Sequence, residues 1–175
     1  MVYRHNIAII GLFTSFNIET ARVISDDFGL RLLDSIKFLE YNLTYELSRV
    51  IEDYGTEYFL KSEARAYREL REYNDSVIGV TATALLNSDN IRNLRESSYI
   101  ILLKANELTT IRRFRQDPNN YLKEEFKNIL EKIDTKYTSL ADIIVDIDRL
   151  TPVGVAHRVE DELKNYIEAM EAEKA

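Results

Sequence analysis

Residues 6–18 read Asn-Ile-Ala-Ile-Ile-Gly-Leu-Phe-Thr-Ser-Phe-Asn-Ile (NIAIIGLFTSFNI). Asn6–Gly11 is a nearly unbroken apolar run, the pattern of a strand covered on both faces. Ile18–Phe28 reads as a helix, with Gly29 suited to the left-handed position just past its end. The loop between them opens on Gly11, where a phosphate-binding loop would read G-x-x-x-x-G-K-[ST]. Here Phe16 stands at the second glycine, Asn17 at the lysine and Ile18 at the hydroxyl residue. The loop is therefore expected in the place of a phosphate cradle without the groups that hold phosphate or metal. No glycine precedes a lysine elsewhere in the chain, so there is no displaced copy.

Working outward, short apolar segments alternate with helical ones. The expected strands are Leu30–Asp34, Val77–Thr81, Tyr99–Lys104 and Asp142–Asp148. The expected helices cover 35–42, 45–54 with Thr44 as cap, 56–73 with Thr56 as cap, and 88–95 with Ser88 or Asp89 as cap. Further helices are expected over 106–115 with Asn106 as cap, over 121–137, and from Thr151-Pro152 to Lys174. Gly55 separates the second and third of these, and Asp117-Pro118-Asn119-Asn120 is a turn. Pro suits the first position of the last helix. Strands alternating with helices imply right-handed crossovers and a parallel sheet, an α/β fold. One domain over residues 1–175 is expected, with a helical C-terminal tail over 153–174.

Composition narrows the function classes. The chain has 175 residues, no cysteine, five glycines and two prolines. Without cysteine there is no disulfide framework, thiolate metal site or cysteine nucleophile. A net charge of −7 disfavours nucleic acid as a partner. No apolar run approaches the roughly 20 residues needed to cross a membrane, and the N-terminus carries no leader pattern. The expected compartment is the cytoplasm. His5 and His157 lie far apart and neither neighbours a nucleophile motif.

The NIAIIG strand, LLDSIKFLE, DYGTEYFLKSE, VIGVT, a lid-like region about 112–122 and VDIDRLTP follow one another in an order that resembles the shikimate kinases. The resemblance covers roughly Asn6 to Lys164. It implies a three-layer P-loop kinase fold with a five-stranded parallel sheet in the order 2-3-1-4-5, flanked by helices. It also implies a set of departures. Asn17 matches the phosphate lysine and Ile18 the magnesium-ligating hydroxyl. Asp34 matches the metal-side carboxylate, a residual metal or substrate candidate, while Ile36 replaces the carboxylate that grips the substrate. Leu60 matches a substrate arginine and Thr81-Ala82-Thr83 the glycine triplet. Asn120 matches the lid arginine and Ile133 the carboxylate-binding arginine, with Lys132 adjacent. Gly11 keeps the turn. Arg112, Arg149 and Pro152 resemble the part that stacks on adenine and are the residual nucleotide-binding candidates.

Phosphoryl transfer rests on positioning and charge stabilisation, and one lost donor typically costs about 3 kcal/mol of barrier. Losses on the phosphate, metal, substrate and lid sides together lead to the expectation of a catalytically inactive pseudokinase acting through ligand or protein binding. No catalytic residue, cofactor or metal is assigned. The alternative is a divergent ATP-dependent small-molecule kinase, and ATP and magnesium enter only there. An oligomeric role, using the acidic C-terminal helix as an interface, is a third possibility. Asp142, Asp146 and Asp148 share one strand face and are weighed as a cation site against plain edge carboxylates. Tyr41, Tyr45, Tyr54 and Tyr58 are weighed as a contact surface against packing.

Overall fold

The computed structural model describes residues 4–173, apart from the side chain of Asp134. Five parallel strands, β1 (Asn6–Gly11), β2 (Arg31–Asp34), β3 (Ser76–Gly79), β4 (Ser98–Lys104) and β5 (Ile143–Asp146), form one sheet in the order 2-3-1-4-5. The order matches the expectation. Every residue of β1 is buried, as its apolar run requires at the centre of a sheet covered on both sides.

Helix α1 (Thr14–Phe28) packs on β3 and against α8 (Pro152–Ala172). On the other side lie α3 (Leu47–Leu70), α4 (Ser88–Arg95), α6 (Phe126–Lys132) and the short α7 (Thr138–Leu140). α2 (Ser35–Leu43) joins α3, and α5 (Glu107–Gln116) follows β4. Gly79 sets how closely α1 can approach the sheet. A Cβ there would come within 2.7 Å of the Ile18 Cα, so only glycine fits. Among the described residues no helix is long and apolar enough to cross a membrane.

Several local expectations hold with their physical causes. Gly29 is left-handed at φ 65° and closes α1. The Asn106 side chain accepts from Thr109 N, and the Thr151 hydroxyl accepts from Gly154 N ahead of Pro152 at the helix start. The expected break at Gly55 does fall there: with φ 83° and ψ 167° it leaves helical geometry and divides α3 into two helical stretches across a kink. Others are corrected. α1 begins at Thr14, four residues before Ile18, so most of the supposed loop is helix. Thr44 does not start a helix; it ends α2 in the left-handed region at φ 57°. Asn87, not Ser88 or Asp89, caps α4, its side chain accepting from Asp89 N. The 121–137 segment is a 3-10 turn, α6 and a π-turn (Ile133–Tyr137) in series. The tail helix is α8, described to Ala172; Lys174 lies outside the described residues.

The core has two parts. The larger packs around the sheet. The smaller lies under α2 and α3 and gathers Ile18, Ile36, Leu39, Leu47, Val50, Phe59, Ala66 and Leu122.

Candidate functional site

The site is the carboxyl end of the sheet, where β1 runs into α1. Parallel α/β sheets bind ligands outside their carboxyl edge where crossovers part to opposite faces. Gly11 sits there in a tight place, since a Cβ would lie 2.9 Å from the Leu103 carbonyl oxygen. Asn17 is fully buried, and its Nδ2 donates to Gly11 O at 3.0 Å and Val80 O at 2.9 Å. It ties the ends of β1 and β3 together. Its amide faces inward across the strand ends, where a lysine in the phosphate-binding pattern would reach outward to a ligand.

The first turn of α1 presents backbone N–H groups, the usual attraction for a phosphate. Residues of the 117–120 turn take two of them. Ser15 N donates to Asp117 Oδ2 at 2.8 Å and the Ser15 hydroxyl to Asp117 Oδ1 at 2.5 Å. Thr14 N and the Thr14 hydroxyl both donate to Asn120 Oδ1, at 3.1 and 2.7 Å. Asn120 Nδ2 donates to Leu12 O and Phe114 O, and Asn119 Nδ2 to the Ser15 hydroxyl. Asp117 is only 8% exposed. A carboxylate of the chain thus caps the helix end at its positive dipole.

Phe16, half-buried, lies under a guanidinium with its ring centroid 4.4 Å from Arg113 Cζ. Arg113 also donates to Leu150 O at 3.2 Å, bridging α5 to the segment before α8. Burial and the neighbouring Arg112 lower the Arg113 pKa. Of the three residual nucleotide candidates, Arg112 and Arg149 are exposed and Pro152 opens α8. The arginine that faces the loop is Arg113, one position on from the one singled out by the sequence.

On the metal and substrate side, Asp34 Oδ1 accepts from Ile36 N at 3.0 Å and Lys37 N at 3.2 Å, capping α2. Ile18 and Ile36 are buried together, with Leu60 packed against the same cluster. Ile18 has no atom able to ligate a metal. What remains open is a groove of about 490 Å³ bounded by Ser15, Ile18, Asp34, Ile36, Glu40 and Tyr121. Ile133 is buried, and Lys132 reaches the Leu86 carbonyl oxygen.

Thr81 and Thr83 meet a residue the sequence reading passed over. Glu63 is fully buried and accepts from the Thr81 hydroxyl at 2.5 Å and the Thr83 hydroxyl at 2.6 Å. Its second oxygen has no partner. Burial pushes its carboxyl up to about 7. Glu63 falls on the apolar stripe of α3 between Phe59, Ala66, Tyr67 and Leu70, and a carboxylate on such a stripe is the signal that would have found it. The partnership of Asp117 with Ser15 spans 102 positions and has no local signature.

The aspartates weighed as a cation site serve structure. Asp142 pairs with Arg4 at 2.6 Å and accepts from Ile100 N and the Tyr166 hydroxyl. Asp146 accepts from Asp148 N, and Asp148 from Asn106 N. No group of three or more metal-ligating side chains occurs among the described residues.

The sheet order, the β1–loop–α1 junction and the helices on both faces define a P-loop kinase-type α/β protein. The shikimate kinase family model matches residues 19–166, and the chain belongs to the shikimate kinase family. Shikimate kinase of Moorella thermoacetica is 25% identical over 169 residues, covering 94% of this chain and 98% of its own. That of Dictyoglomus turgidum is 29% identical over 154 residues, covering 83% and 89%. The solved shikimate kinase of Acinetobacter baumannii, in complex with shikimate, superposes with a TM-score of 0.82 at 17% identity, covering 94% and 95%. A gluconokinase of Sinorhizobium meliloti superposes at 0.61 and 15% identity, covering 99% and 100%. At such identities the structures attest the fold.

Proposed function

We propose that this member of the shikimate kinase family does not transfer phosphoryl groups and acts by binding a partner or ligand. The observation that carries the reading is the hydrogen-bonded seat of Asp117 on the first turn of α1, where a phosphate would otherwise be held. Two further features support it. Asn17 is committed to two backbone carbonyls. The positions that the family resemblance gives to metal and substrate contacts, Ile18, Ile36 and Leu60, pack as one apolar cluster. These residues do not make a magnesium site of the family's kind, since Ile18 offers no ligand and only Asp34, one oxygen of which caps α2, is left on the metal side. An incoming nucleotide would have to displace a hydrogen-bonded carboxylate and place its phosphates without a lysine at position 17.

The second reading, a divergent ATP-dependent small-molecule kinase, is favoured by the relatives that are themselves shikimate kinases. Under it ATP and magnesium would be required. ADP release from ATP, magnesium and shikimate separates the two. The expected rate with the purified protein equals that of the protein-free control. Turnover on the order of 1 s⁻¹, at the low end for kinases, would establish the second reading.

A further inference from the structure

Four tyrosines stand on the outer surface of α2, α3 and the segment between them, with no role in the site. Tyr41 is 82% exposed, Tyr54 54%, Tyr58 46% and Tyr45 42%. Three of the rings form a contiguous strip. Tyr45 meets Tyr54 edge-on at 5.9 Å, and Tyr54 meets Tyr58 at 5.2 Å. The Gly55 kink interrupts α3 between the last two. The strip is set in negative charge. Residues 40–58 carry five carboxylates (Glu40, Glu46, Glu52, Asp53, Glu57) against Arg49 alone. Glu46, Glu52, Asp53 and Glu57 are exposed, and Glu57 is paired with Lys61 at the edge of the strip. Among the described residues no arginine lies over any of these four rings, although the fold elsewhere sets Arg4, Arg31 and Arg113 over Tyr99, Tyr73 and Phe16.

We propose that this strip is the docking surface for an arginine-bearing basic segment of a partner protein. The inference rests on the binding role proposed above and names its partner class. Tyrosine faces carry negative charge density and attract a guanidinium, which is planar, weakly hydrated and suited to stacking. The surrounding carboxylates complement the same cation and repel acidic partners. Tyrosine and arginine are also the residues over-represented at the energetic centres of protein interfaces. None of the four tyrosines lines the groove beside the α1 first turn, so the surface does not require an open nucleotide site.

The test is titration of a labelled Arg-Gly repeat peptide against the full-length protein, followed by fluorescence anisotropy. The wild type is expected to bind saturably. The variant Tyr54→Ala/Tyr58→Ala is expected to lose about tenfold or more in affinity, with circular dichroism unchanged because both rings are half out of the fold. Glu52→Gln/Asp53→Asn is expected to weaken binding and flatten its salt dependence. A Glu-Gly repeat should not bind. Equal affinity of the tyrosine variant and the wild type would overturn the proposal, as would equal binding of the acidic peptide. Concentration-dependent self-association that the tyrosine variant abolishes would overturn it too, by assigning the strip to a second copy of the chain. A positive Mg-ATP titration would contradict the non-catalytic reading and leave these outcomes unchanged.

Discussion

Replacing Asp117 with alanine is expected to lower stability by about 3 kcal/mol. Its carboxylate accepts from Ser15 N, the Ser15 hydroxyl and Asn119 N and is nearly buried. Hydrogen bonds to charged groups contribute about 1.5–3 kcal/mol each in favourable settings, and less when summed at one residue. Removing the acceptor also strands the first-turn donors of α1 and the favourable interaction with its dipole. For a domain of this size the loss corresponds to a fall in Tm of about 6–12 °C. Asp117→Asn, which keeps an acceptor but not the charge, should show roughly half the effect. Urea unfolding of the three proteins is the measurement. A loss below about 0.5 kcal/mol for the alanine variant would mean that the turn merely rests on α1.

The second large effect is a pH dependence that belongs to Glu63. Its folded carboxyl is raised to about 7 from a reference value of 4.5, chiefly by burial, against the opposing hydrogen bonds from Thr81 and Thr83. A raised carboxyl pKa means that the folded protein holds the proton more tightly than the unfolded chain. The resulting stability is fully present below the unfolded value and is lost as the pH rises through the folded one. The window is therefore about pH 4.5 to 7, and the shift corresponds to roughly 3 kcal/mol across it. Glu63→Gln cannot titrate. Its new amide nitrogen would sit where the unpartnered oxygen now lies, a cost that is equal at both ends of the window. The expected result is that the wild type loses about 3 kcal/mol more than Glu63→Gln between about pH 5 and pH 8. Other titrating groups cancel in that comparison. Parallel slopes would show that Glu63 is charged and solvated in the fold.

The sheet was legible because each strand is an apolar run bounded by turn residues, and because parallel crossovers leave few topologies. Gly29, Asn106, Thr151 and Pro152 announced their helix ends by residue type alone. The site was legible only by position. Gly11, Phe16, Asn17 and Ile18 marked where to look. That Asn17 would turn to the carbonyls of Gly11 and Val80 depends on β3 arriving beside β1, and that α1 would begin at Thr14 depends on the Asp117–Asn120 turn meeting it from a hundred residues away. The misplaced cap at Thr44 has a similar origin. Threonine caps helices well, but here the chain needed a left-handed residue to leave α2. Gly55 was read as a stop and does break the helix, at φ 83° and ψ 167°, while Val50 and Phe59, on either side, bury into the same small core.

The central claim is that residues of the chain itself fill the place of a nucleotide's phosphates. Titration of the purified protein with Mg-ATP by calorimetry tests it most directly. No saturable heat is expected for ATP concentrations up to about 1 mM, a free energy of about −4 kcal/mol. Saturable binding tighter than about 100 μM, near −5.5 kcal/mol, would contradict the account. It would mean that the carboxylate of Asp117 leaves α1 readily and that the loop from Gly11 to Ile18 still receives phosphate.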